Sequence, residues 1–544
     1  MAERMPAILV TGASGLVGRH FLEAARDRFL IYALARRSAE QAGIPSHPRV
    51  RWIQADIGNR EALARVLYHV GRQGPVDFLL HLAAFYDFSN EDDPEFERTN
   101  VRGTRHLLEL AGGLGIRRFV FASSLVVTEF PSREGPVTER SPTDADFPYA
   151  RSKRKGEELV RRHAERFPCS IVRLAAVVSD WCEYPPLYAF LSTWLSPGWT
   201  ARVLAGRGKT AVPYIHVHDL TRLLLTLLDR SEELPRLGVY LASPDGCTTH
   251  QELFRIATRC YFGRPVRPRH LPKPLAGAGI LGRLLLGRLL GRPPFERPWM
   301  TRYIDRQLVA DASCTRRALG WEPTPRYHIT RRLLFMIERL KNSPIEWLAR
   351  NQAALLRAKG GRPNLLIYEN LLRLREKILE AYLEYVTLPA NRPVFPGHGA
   401  MDRGTLRRSA ELLFRLLAAA VRSGDRMTML DSVRELARIR RREGFSAPEV
   451  CGALTALRDA AVPELLIAED LMGREQAVFD HLFIPVQMAT DEVEDVFEQA
   501  PEGAAGDLPA ARLDALERRL LAMEEFYGPV PAGGPGPDPG VARD

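Results

Sequence analysis

Short apolar runs alternate with longer helix-like stretches over the first 180 residues of the chain. Several runs are almost continuously apolar, as expected for parallel strands buried on both faces, and the intervals between them suit crossover helices. The pattern predicts a doubly wound α/β domain over residues 1–180. The six runs cover residues 7–10, 29–35, 50–55, 77–82, 117–122 and 169–178.

The pattern changes twice beyond this domain. Residues 181–344 are irregular and rich in Pro, Trp and Arg, with a strand-like run at 213–217 and a helix near 219–228, and we expect a small substrate-binding part there. From residue 345, apolar residues recur every three to four positions, which predicts an all-α helical bundle up to residue 527. Residues 528–544 are rich in Gly and Pro, and we expect a disordered tail. The helical patterns cover residues 364–387, 402–422, 427–443 and 446–462.

Composition then narrows the class of protein. With 45% hydrophobic residues over a length of 544, the chain is predicted to be globular and to have more than one core. The six cysteines are scattered and form no C-x-x-C pair, so we expect reduced thiols, no metal site and a cytoplasmic protein. No apolar run reaches the roughly 18 residues of a membrane-spanning helix, and the run at residues 7–10 is too short for a signal peptide.

Charge changes the picture only locally. The formal net charge is +10, but 69 of the 76 basic residues are Arg, a bias that genome composition also produces, and we predict no nucleic-acid partner. Residues 255–341 carry 19 basic and 5 acidic side chains, whereas residues 451–544 carry 6 and 19. The basic stretch would suit an anionic substrate, a membrane surface or an acidic domain, or would form a solvated face.

A glycine-rich turn follows the first predicted strand and precedes a predicted helix. Gly12, Gly15 and Gly18 allow a tight turn and a close backbone approach to a pyrophosphate, which the helix N-terminus also attracts. This context predicts a dinucleotide site. Arg36 and Arg37 stand after the second strand, where an NAD site carries an acidic residue, and two guanidinium groups suit a 2′-phosphate. We therefore predict NADP(H), with the alternative that both arginines face solvent.

Candidate chemistry lies after the fifth apolar run. Tyr149 and Lys153 are four residues apart and therefore share one helix face. A nearby ammonium stabilises a phenolate, so Lys153 is predicted to lower the pKa of Tyr149 and make it a proton donor and acceptor near neutral pH.

Seven motifs in order, from the glycine turn onward, resemble the extended, epimerase/dehydratase-like branch of the short-chain dehydrogenase/reductase superfamily over about residues 6–335. The resemblance implies a Rossmann-type parallel sheet with a small substrate subdomain. Besides the turn, the motifs are Asp56-Ile57, His81-Leu-Ala-Ala84, Asn100-Val-Arg-Gly-Thr104, Ser123-Ser124, Tyr149-Ala-Arg-Ser-Lys153 and Tyr214-Ile-His-Val-His-Asp219. With the two arginines, the cofactor-binding residues that we predict are Thr11, Gly12, Ser14, Gly15, Leu16, Gly18, Arg36, Arg37, Asp56, Ile57, Leu82, Ala83 and Asn100.

The resemblance also implies catalytic roles. Tyr149 would exchange a proton with the substrate oxygen, Lys153 would hold the nicotinamide ribose, and Ser124 would orient the oxygen. Ser123 is the alternative to Ser124, and Asn100 either orients the active-site backbone or packs within its helix. We predict an oxidoreductase that interconverts a carbonyl and an alcohol, and dimers are common in this branch.

The substrate is predicted to be a small apolar molecule. Nucleotide-sugar relatives usually carry an arginine where this chain has Val212, although a nucleotide-sugar epimerase or dehydratase stays the alternative. Residues 85–88 and the tryptophans at 181, 194 and 199 would suit apolar walls, or simply form core. The glycine-containing apolar segment 276–292, with three arginines, would form a lid over the site or lie on a membrane surface.

The helical part resembles the sensory domain of stressosome co-antagonist proteins over about residues 345–500, with its clearest signature at residues 441–458. The resemblance implies a globin-like bundle for dimerisation or signal reception. His398 and His481 are expected to be surface or packing residues. A second hypothesis follows, in which the protein senses NADP(H) and signals through the bundle.

Overall fold

The computed structural model describes residues 4–87, 92–130, 135–289, 295–359, 363–423, 426–472, 474–498, 513–514 and 516–518. The chain forms two compact units. The first comprises residues up to 360 except 36–41 and 52–56, and these two segments cluster with residues from 361 onward in the second. The tail expected at residues 528–544 lies outside the described residues.

The part of the chain up to residue 360 contains all the described strands, although residues 52–54 of β3 and 39–41 of α2 cluster with the second unit. Its strands are, in chain order, β1 (Ala7–Thr11), β2 (Leu30–Ala35), β3 (Val50–Gln54), β4 (Phe78–His81), β5 (Arg118–Ser124), β6 (Cys169–Leu174), β7 (Ala176–Val178), β8 (Val203–Ala205), β9 (Ala211–Val212), β10 (Tyr214–His216), β11 (Leu237–Ala242), β12 (Thr248–Thr249) and β13 (Arg269–Leu271). Its helices are α1 (Leu16–Ala25), α2 (Ala39–Ala42), α3 (Arg60–Arg72), α4 (Gly103–Leu110), α5 (Pro148–His163), α6 (Pro185–Trp194), α7 (Val217–Asp229), α8 (His250–Phe262), α9 (Lys273–Leu289), α10 (Ser313–Leu319), α11 (Ile329–Asn342) and α12 (Pro344–Lys359). A π-helical turn covers Phe96–Arg102, and short 3-10 turns cover Ala111–Leu114, Leu125–Val127, Trp199–Arg202, Pro298–Tyr303 and Pro325–Tyr327.

A seven-stranded sheet with the order β11-β6-β5-β4-β1-β2-β3 forms the core of this unit. The registered pairs between neighbouring strands are parallel. Strand order reverses between β1 and β4, and ligands bind at such a switch point because the connections leave it in opposite directions. The doubly wound α/β fold is thus confirmed. The sheet nevertheless takes its last strand, β11, from residues that we assigned to the substrate part.

Burial explains why the apolar runs form strands. Every residue of β1 is buried, as are all but the first residue of β2, because helices cover both faces of a doubly wound sheet. The run at residues 169–178 is not one strand. It divides into β6, which joins the main sheet, and β7, which pairs with β10 in a separate ladder.

The substrate part has its own apolar core beside the main sheet. Trp194, Phe254, Leu333 and Trp347 are buried there, and Trp181 packs against them. Trp347 belongs to α12, so the first compact unit continues past the boundary predicted at residue 344.

The second unit is helical, as predicted, around one extended apolar core. The pattern at residues 364–387 forms two helices rather than one, because the helix is interrupted at Leu374. The other three patterns each form one helix. Ser446 caps α18 by accepting the backbone N–H of Glu449. The helices are α13 (Pro363–Arg373), α14 (Arg375–Thr387), α15 (Pro396–Ala400), α16 (Arg403–Ser423), α17 (Arg426–Arg442), α18 (Ala447–Leu466), α19 (Glu475–Val478) and α20 (Ile484–Glu498). Shorter 3-10 or π-helical turns cover Pro389–Asn391, Glu469–Leu471 and Phe479–Phe483.

His398 is a packing residue, which is one of the two alternatives expected for it. It is 3% exposed, packs edge-on against Phe445, and its Nδ1 lies 2.8 Å from Oε1 of the buried Glu449. Burial lowers the pKa of His398 although Glu449 opposes this shift.

None of the helices in the described part of the chain combines the length and apolar character needed to cross a bilayer. All six cysteines are free thiols. Within the described residues, no group of three or more His, Cys, Asp or Glu side chains is placed to hold a metal ion.

Candidate active site

The glycine turn connects β1 to α1 at the switch point of the sheet. Gly12 has φ +72°, and a Cβ there would lie 2.6 Å from the backbone nitrogen of Ala83. A Cβ at Gly18 would lie 2.7 Å from the carbonyl oxygen of Ala13. The backbone N–H of Gly15 donates to the carbonyl of Gly12 at 2.9 Å. Only glycine therefore fits at positions 12 and 18. The tight turn that these glycines allow leads directly into the N-terminus of α1, which attracts anions.

A buried histidine joins the two strands that flank the switch point. His81, at the end of β4, has Nδ1 2.7 Å from the hydroxyl of Thr11 and Nε2 2.9 Å from the hydroxyl of Thr104. The N–H of Ala83 donates to Thr11 Oγ1 at 3.3 Å. Burial, with a smaller effect from Lys153, lowers the pKa of His81 to about 3. His81 is therefore neutral at physiological pH and holds the turn through one donor and one acceptor.

A cavity of about 340 Å³ opens in front of this turn. Among the predicted site residues it is lined by Gly12, Gly15, Leu16, Gly18, Leu82, Ser124 and Tyr149. Its other walls include Tyr86, Leu125, Val177, Glu183, Tyr184, Val212, Pro213, Leu308 and Ala354. The cavity thus brings the glycine turn, the serine and the tyrosine together, between mainly apolar walls.

The two serines at the end of β5 have different surroundings. Ser123 donates to Glu157 Oε1 at 2.7 Å and is buried. Ser124 lines the cavity and is hydrogen-bonded to the side chain of Tyr149. Successive residues of a strand face opposite sides of a sheet, which separates these neighbours.

Tyr149 lies near the start of α5 within a group of aromatic hydroxyls. Its ring centre is 4.6 Å from that of Tyr86, and Tyr86 is hydrogen-bonded to Tyr184. Burial raises the pKa of Tyr149, Tyr184 raises it further, and the hydrogen bond with Ser124 lowers it by less. The predicted lowering of this pKa by Lys153 is therefore wrong for this structure, and the phenol is a neutral proton donor.

Lys153 lies one turn further along α5 and is buried. Its ammonium donates to the carbonyl of Ala122 at 2.8 Å and sits 5.0 Å above the ring of Phe121. Burial lowers the pKa of Lys153 to about 8, although Glu157 opposes the shift. The ammonium is therefore bonded to the carboxyl end of β5, where Ala122 lines the cavity, and it is not bonded to the hydroxyl of Tyr149.

Asn100 lies in the π-helical turn Phe96–Arg102, a geometry often found near functional sites. Its side chain accepts from the backbone N–H of Phe85 at 2.6 Å and donates to Ser152 Oγ at 2.9 Å. Ser152 Oγ donates in turn to the carbonyl of Tyr149 at 2.7 Å. These contacts favour the backbone-orienting alternative for Asn100. Its predicted contact with a cofactor stays a prediction.

The residues predicted at the adenosine end follow β2 and β3 and do not line the cavity. Arg36 and Arg37 are both half-buried, and their carbonyls accept from Gln54 Nε2 and Trp52 Nε1, each at 2.9 Å. Asp56 is 6% exposed. Both segments lie at the carboxyl edge of the sheet, since they follow the ends of parallel strands.

Ser14 and Ile57, which we also predicted to bind the cofactor, lie outside the cavity lining. Ser14 lies within the glycine turn, and the carbonyl of Ile57 lies 3.1 Å from His106 Nδ1.

The aromatic residues expected to form cavity walls or core divide between the two. Tyr86 lines the cavity, Trp194 is core, and Trp181 packs against that core between Arg339 and Arg350. The side chain of Trp199 and residue Phe88 lie outside the described residues. Helix α9 forms over 273–289 despite its glycines, but no described residue of it lines the cavity, so the lid is not seen.

Sequence reasoning missed two parts of this site. Tyr184 and Glu183 come from the loop between β7 and α6, and Ala354 comes from α12. The adjacent Tyr-Pro-Pro signal at residues 184–186 marks a helix start, but it gives no sign that the loop returns to the glycine turn.

Comparison with known proteins agrees with this geometry. The model of the NAD dependent epimerase/dehydratase family matches residues 8–242. Sterol demethylase protein B of Methylococcus capsulatus is 29% identical over 337 residues, which cover 58% of this chain and 93% of that protein. The 3-diazoavenalumate denitrifying reductase of a Streptomyces species is 30% identical over 328 residues, covering 58% of this chain and 96% of that protein.

Among solved structures, the dTDP-glucose 4,6-dehydratase of Streptomyces venezuelae with NAD and TYD bound has a TM-score of 0.49 and 22% identity, over 63% of this chain and 99% of that chain. That score adds nothing to the fold assignment, which depends on the strand order. The family match and the reductase that the chain covers almost completely decide the family. This chain belongs to the NAD dependent epimerase/dehydratase family and is an NAD(P)-dependent enzyme of the oxidoreductase type.

Proposed function

We propose that the protein interconverts a carbonyl and an alcohol on a small apolar molecule with NADP(H) as coenzyme. The observation that carries this proposal is the cavity in which Ser124 and Tyr149, joined by a hydrogen bond, face the glycine turn. The sheet edge, the turn and the two hydroxyls meet in one space of about 340 Å³, which suits a small substrate beside a nicotinamide.

The residues present fit a dinucleotide. Gly12 and Gly18, where a Cβ would clash with neighbouring backbone, permit the tight turn that leads into the N-terminus of α1, and both line the cavity. NADPH, when bound, supplies the hydride that reduces the carbonyl carbon. We assign the pyrophosphate to the glycine turn, the nicotinamide ribose to Lys153 and the 2′-phosphate to Arg36 and Arg37.

The protein's own groups handle the proton. Tyr149 is neutral, because burial raises its pKa, and it donates its proton to the substrate oxygen as charge develops there. Ser124 donates a second hydrogen bond to that oxygen and fixes its direction. Asn100 and Ser152 hold the backbone at Tyr149 in place, so that the donor needs little reorganisation.

The walls support an apolar substrate. Val212, Pro213 and Leu308 line the cavity, and Val212 stands where nucleotide-sugar relatives usually carry an arginine for the diphosphate. The names of two relatives are compatible with this choice, since one is named a sterol demethylase protein and the other a reductase. Neither name identifies the substrate of this chain.

A nucleotide-sugar epimerase or dehydratase is the second candidate, because the matching family is described by those two reactions. A sugar diphosphate would need a cation in the cavity, and the described lining contains no Arg or Lys side chain. The discriminating measurement is turnover of dTDP-glucose or UDP-glucose without net consumption of NADPH.

The main test is NADPH consumption by the full chain against long-chain aldehydes, ketones and nucleotide sugars. We expect oxidation of NADPH with an apolar carbonyl. Tyr149→Phe should lower kcat by at least 100-fold and leave the Kd for NADPH within twofold, since the ring stays and only the proton donor is lost. Tyr68→Phe, at an exposed tyrosine on α3, is the matched control.

The outcomes separate the hypotheses. Tight NADPH binding with no turnover of any carbonyl would contradict the reductase and favour a sensor that signals through the helical unit. Absence of NADPH and NADH binding would contradict both.

Peripheral membrane contact through α9 is a further part of the proposal. Leu281 and Leu285 are 49% and 59% exposed on this helix, and Arg283 lies exposed between them. Residues 290–292 of the predicted segment lie outside the described residues. We expect the protein to sediment with phosphatidylglycerol vesicles at low salt, and the double variant Leu281→Asn, Leu285→Asn to stay in solution. No sedimentation of the wild type would refute the contact.

A further inference from the structure

The loop between β7 and α6 brings two residues to the cavity through an unusual backbone turn. Cys182 and Glu183 have φ values of 70° and 52°, so two consecutive residues with side chains adopt the left-handed region. Side chains disfavour this region, and such turns persist only where surrounding contacts hold them. Glu183 and the next residue, Tyr184, both line the cavity.

One amide side chain from α12 brackets this turn. Asn351 Oδ1 accepts the backbone N–H of Glu183 at 2.9 Å, and its Nδ2 donates to the carbonyl of Trp181 at 2.8 Å and to that of Trp347 at 2.9 Å. Asn351 is 1% exposed. The amide therefore holds the backbone on both sides of Cys182, in a place where water cannot substitute for it.

A second anchor comes from the helix that begins at the glycine turn. Arg19, directly after Gly18, donates to Glu183 Oε1 at 2.7 Å, and Ser179 Oγ donates to Glu183 Oε2 at 2.8 Å. Burial raises the pKa of Glu183, but Arg19, Ser179 and Arg350 outweigh it and leave the pKa below its usual range. Glu183 is thus a carboxylate that needs its backbone held in the left-handed turn to reach Arg19.

The turn also sets the position of the catalytic hydroxyls. Tyr184 is hydrogen-bonded to Tyr86, whose ring lies 4.6 Å from that of Tyr149. Tyr184 also acts on Tyr149 directly, since it contributes to the raised pKa of that phenol. A displacement of the backbone at Cys182 and Glu183 would therefore move Tyr184, and with it the surroundings of the proton donor Tyr149.

We propose that Asn351 is a positioning residue for the reductase site, which makes α12, the helix that ends the first unit, part of that site. Asn351 holds the left-handed turn at Cys182 and Glu183, and the turn keeps Tyr184 against Tyr86 beside Tyr149. This inference depends on the proposed function for its kinetic consequence, but its structural consequence is measurable without turnover.

The structural arm of the test uses hydrogen exchange of the full chain. Asn351→Leu keeps the size of the side chain and removes both its donor and its acceptor. We expect exchange of backbone amides in residues 179–184 to become at least tenfold faster, whereas Gln352→Leu, at the exposed neighbour on α12, leaves it unchanged. Equal exchange in the two variants would overturn the proposal.

The kinetic arm uses NADPH with decanal, or with the best aldehyde found in the screen. Asn351→Leu should raise the KM for the aldehyde at least fivefold and shift the pH profile of kcat, with the KM for NADPH within twofold. Gly adopts the left-handed region without support, so Cys182→Gly relieves one of the two left-handed residues, and in that background the same substitution should raise the aldehyde KM by a smaller factor than in the wild type. Parallel changes in both KM values, or no rescue by Cys182→Gly, would show a merely structural role.

If Asn351→Leu does not fold, Asn351→Asp replaces it. Its protonated form supplies an acceptor and one of the two donors of the amide, so its aldehyde KM should be lower at low pH and rise as the acid ionises, and a flat profile would overturn the proposal. If the wild type oxidises no NADPH with any carbonyl, the proposed function fails, and hydrogen exchange still decides whether Asn351 holds the turn.

Discussion

Buried polar side chains around the site are satisfied by specific partners, and this determines what each can do. His81 is bonded on both ring nitrogens by Thr11 and Thr104, so it holds one tautomer and takes no proton near neutral pH. Ser123 and Ser124 both line the cavity, but Ser123 donates its hydroxyl to the buried Glu157, whereas Ser124 is hydrogen-bonded to Tyr149. The chemistry of each residue therefore follows from its partners as much as from its type.

His81 predicts how the stability of the first unit depends on pH. Its pKa is lowered to about 3 in the folded protein, against about 6.5 in an unfolded chain. Between these values the unfolded state binds one more proton, so stability falls as the pH decreases, by up to about 1.4 kcal/mol per pH unit from this group. His81→Gln should have a flatter dependence of the unfolding free energy between pH 6.5 and 4.5, measured by urea denaturation.

The control for this measurement is His270→Gln, at an exposed histidine on β13. It should keep the wild-type slope. The same slope in His81→Gln and in the wild type would contradict a neutral buried His81.

Arg36 and Arg37 predict the choice of coenzyme. If the proposed NADP site is right, replacing both by Ser removes two charge-assisted contacts to the 2′-phosphate, each worth about 1.5–3 kcal/mol. The KM for NADPH should rise at least tenfold, and the KM for NADH should change by less than twofold. Arg60→Ser, at an exposed position on α3, should change neither value. Equal KM values for NADPH before and after the double substitution would show that the arginines do not bind the phosphate.

Helix α5 shows how one element organises the site. Four polar residues recur at helical spacing on it. Tyr149, Lys153 and Glu157 contact residues of β5, and Ser152 contacts Asn100 in the π-helical turn. Gly156 allows the helix to approach β5, because a Cβ there would lie 2.6 Å from the ring of Phe121. The sequence predicted the tyrosine–lysine pair from its spacing, but the contacts of Ser152 and Glu157 depend on other strands and helices.

Neutralising Glu157 is expected to lower the unfolding free energy strongly. It accepts from Arg173 Nε at 3.0 Å and from Nη2 at 2.9 Å, and both side chains are 2% exposed. Glu157→Gln leaves the guanidinium of Arg173 buried without its counter-charge, which costs about 3–5 kcal/mol. Glu158→Gln, at the exposed next residue, should change the unfolding free energy by less than about 0.5 kcal/mol. Similar free energies for the two variants in urea denaturation would refute this prediction.

At the level of the whole molecule, the chain joins a catalytic α/β unit to a helical unit. The first unit includes α12, whose Trp347 is 3% exposed in the core of the substrate part and whose Ala354 lines the cavity. The resemblance of the second unit to a stressosome sensory domain, and the dimer, stay predictions.

Truncation predicts where the catalytic unit ends. A chain that ends after Lys359 keeps α12 and should retain NADPH oxidation and cooperative unfolding. A chain that ends after Ser343 lacks Trp347, and loss of a buried tryptophan costs about 3–5 kcal/mol even when only its side chain is removed. It should melt at a lower temperature and lose turnover. Equal activity and melting temperature of the two truncated chains would place the boundary before α12.

Local patterns in the sequence suffice to predict the doubly wound fold, the glycine turn and the position of Tyr149 and Lys153 on one face of a helix. These depend on local signals, because buried parallel strands leave continuous apolar runs and helical spacing places residues four apart on one face. The tertiary structure alone decided that β11 completes the sheet, that Tyr184 and Ala354 reach the cavity, and that burial raises the pKa of Tyr149. These features arise where segments distant in sequence meet, and burial and contact between such segments leave no periodic pattern in the chain.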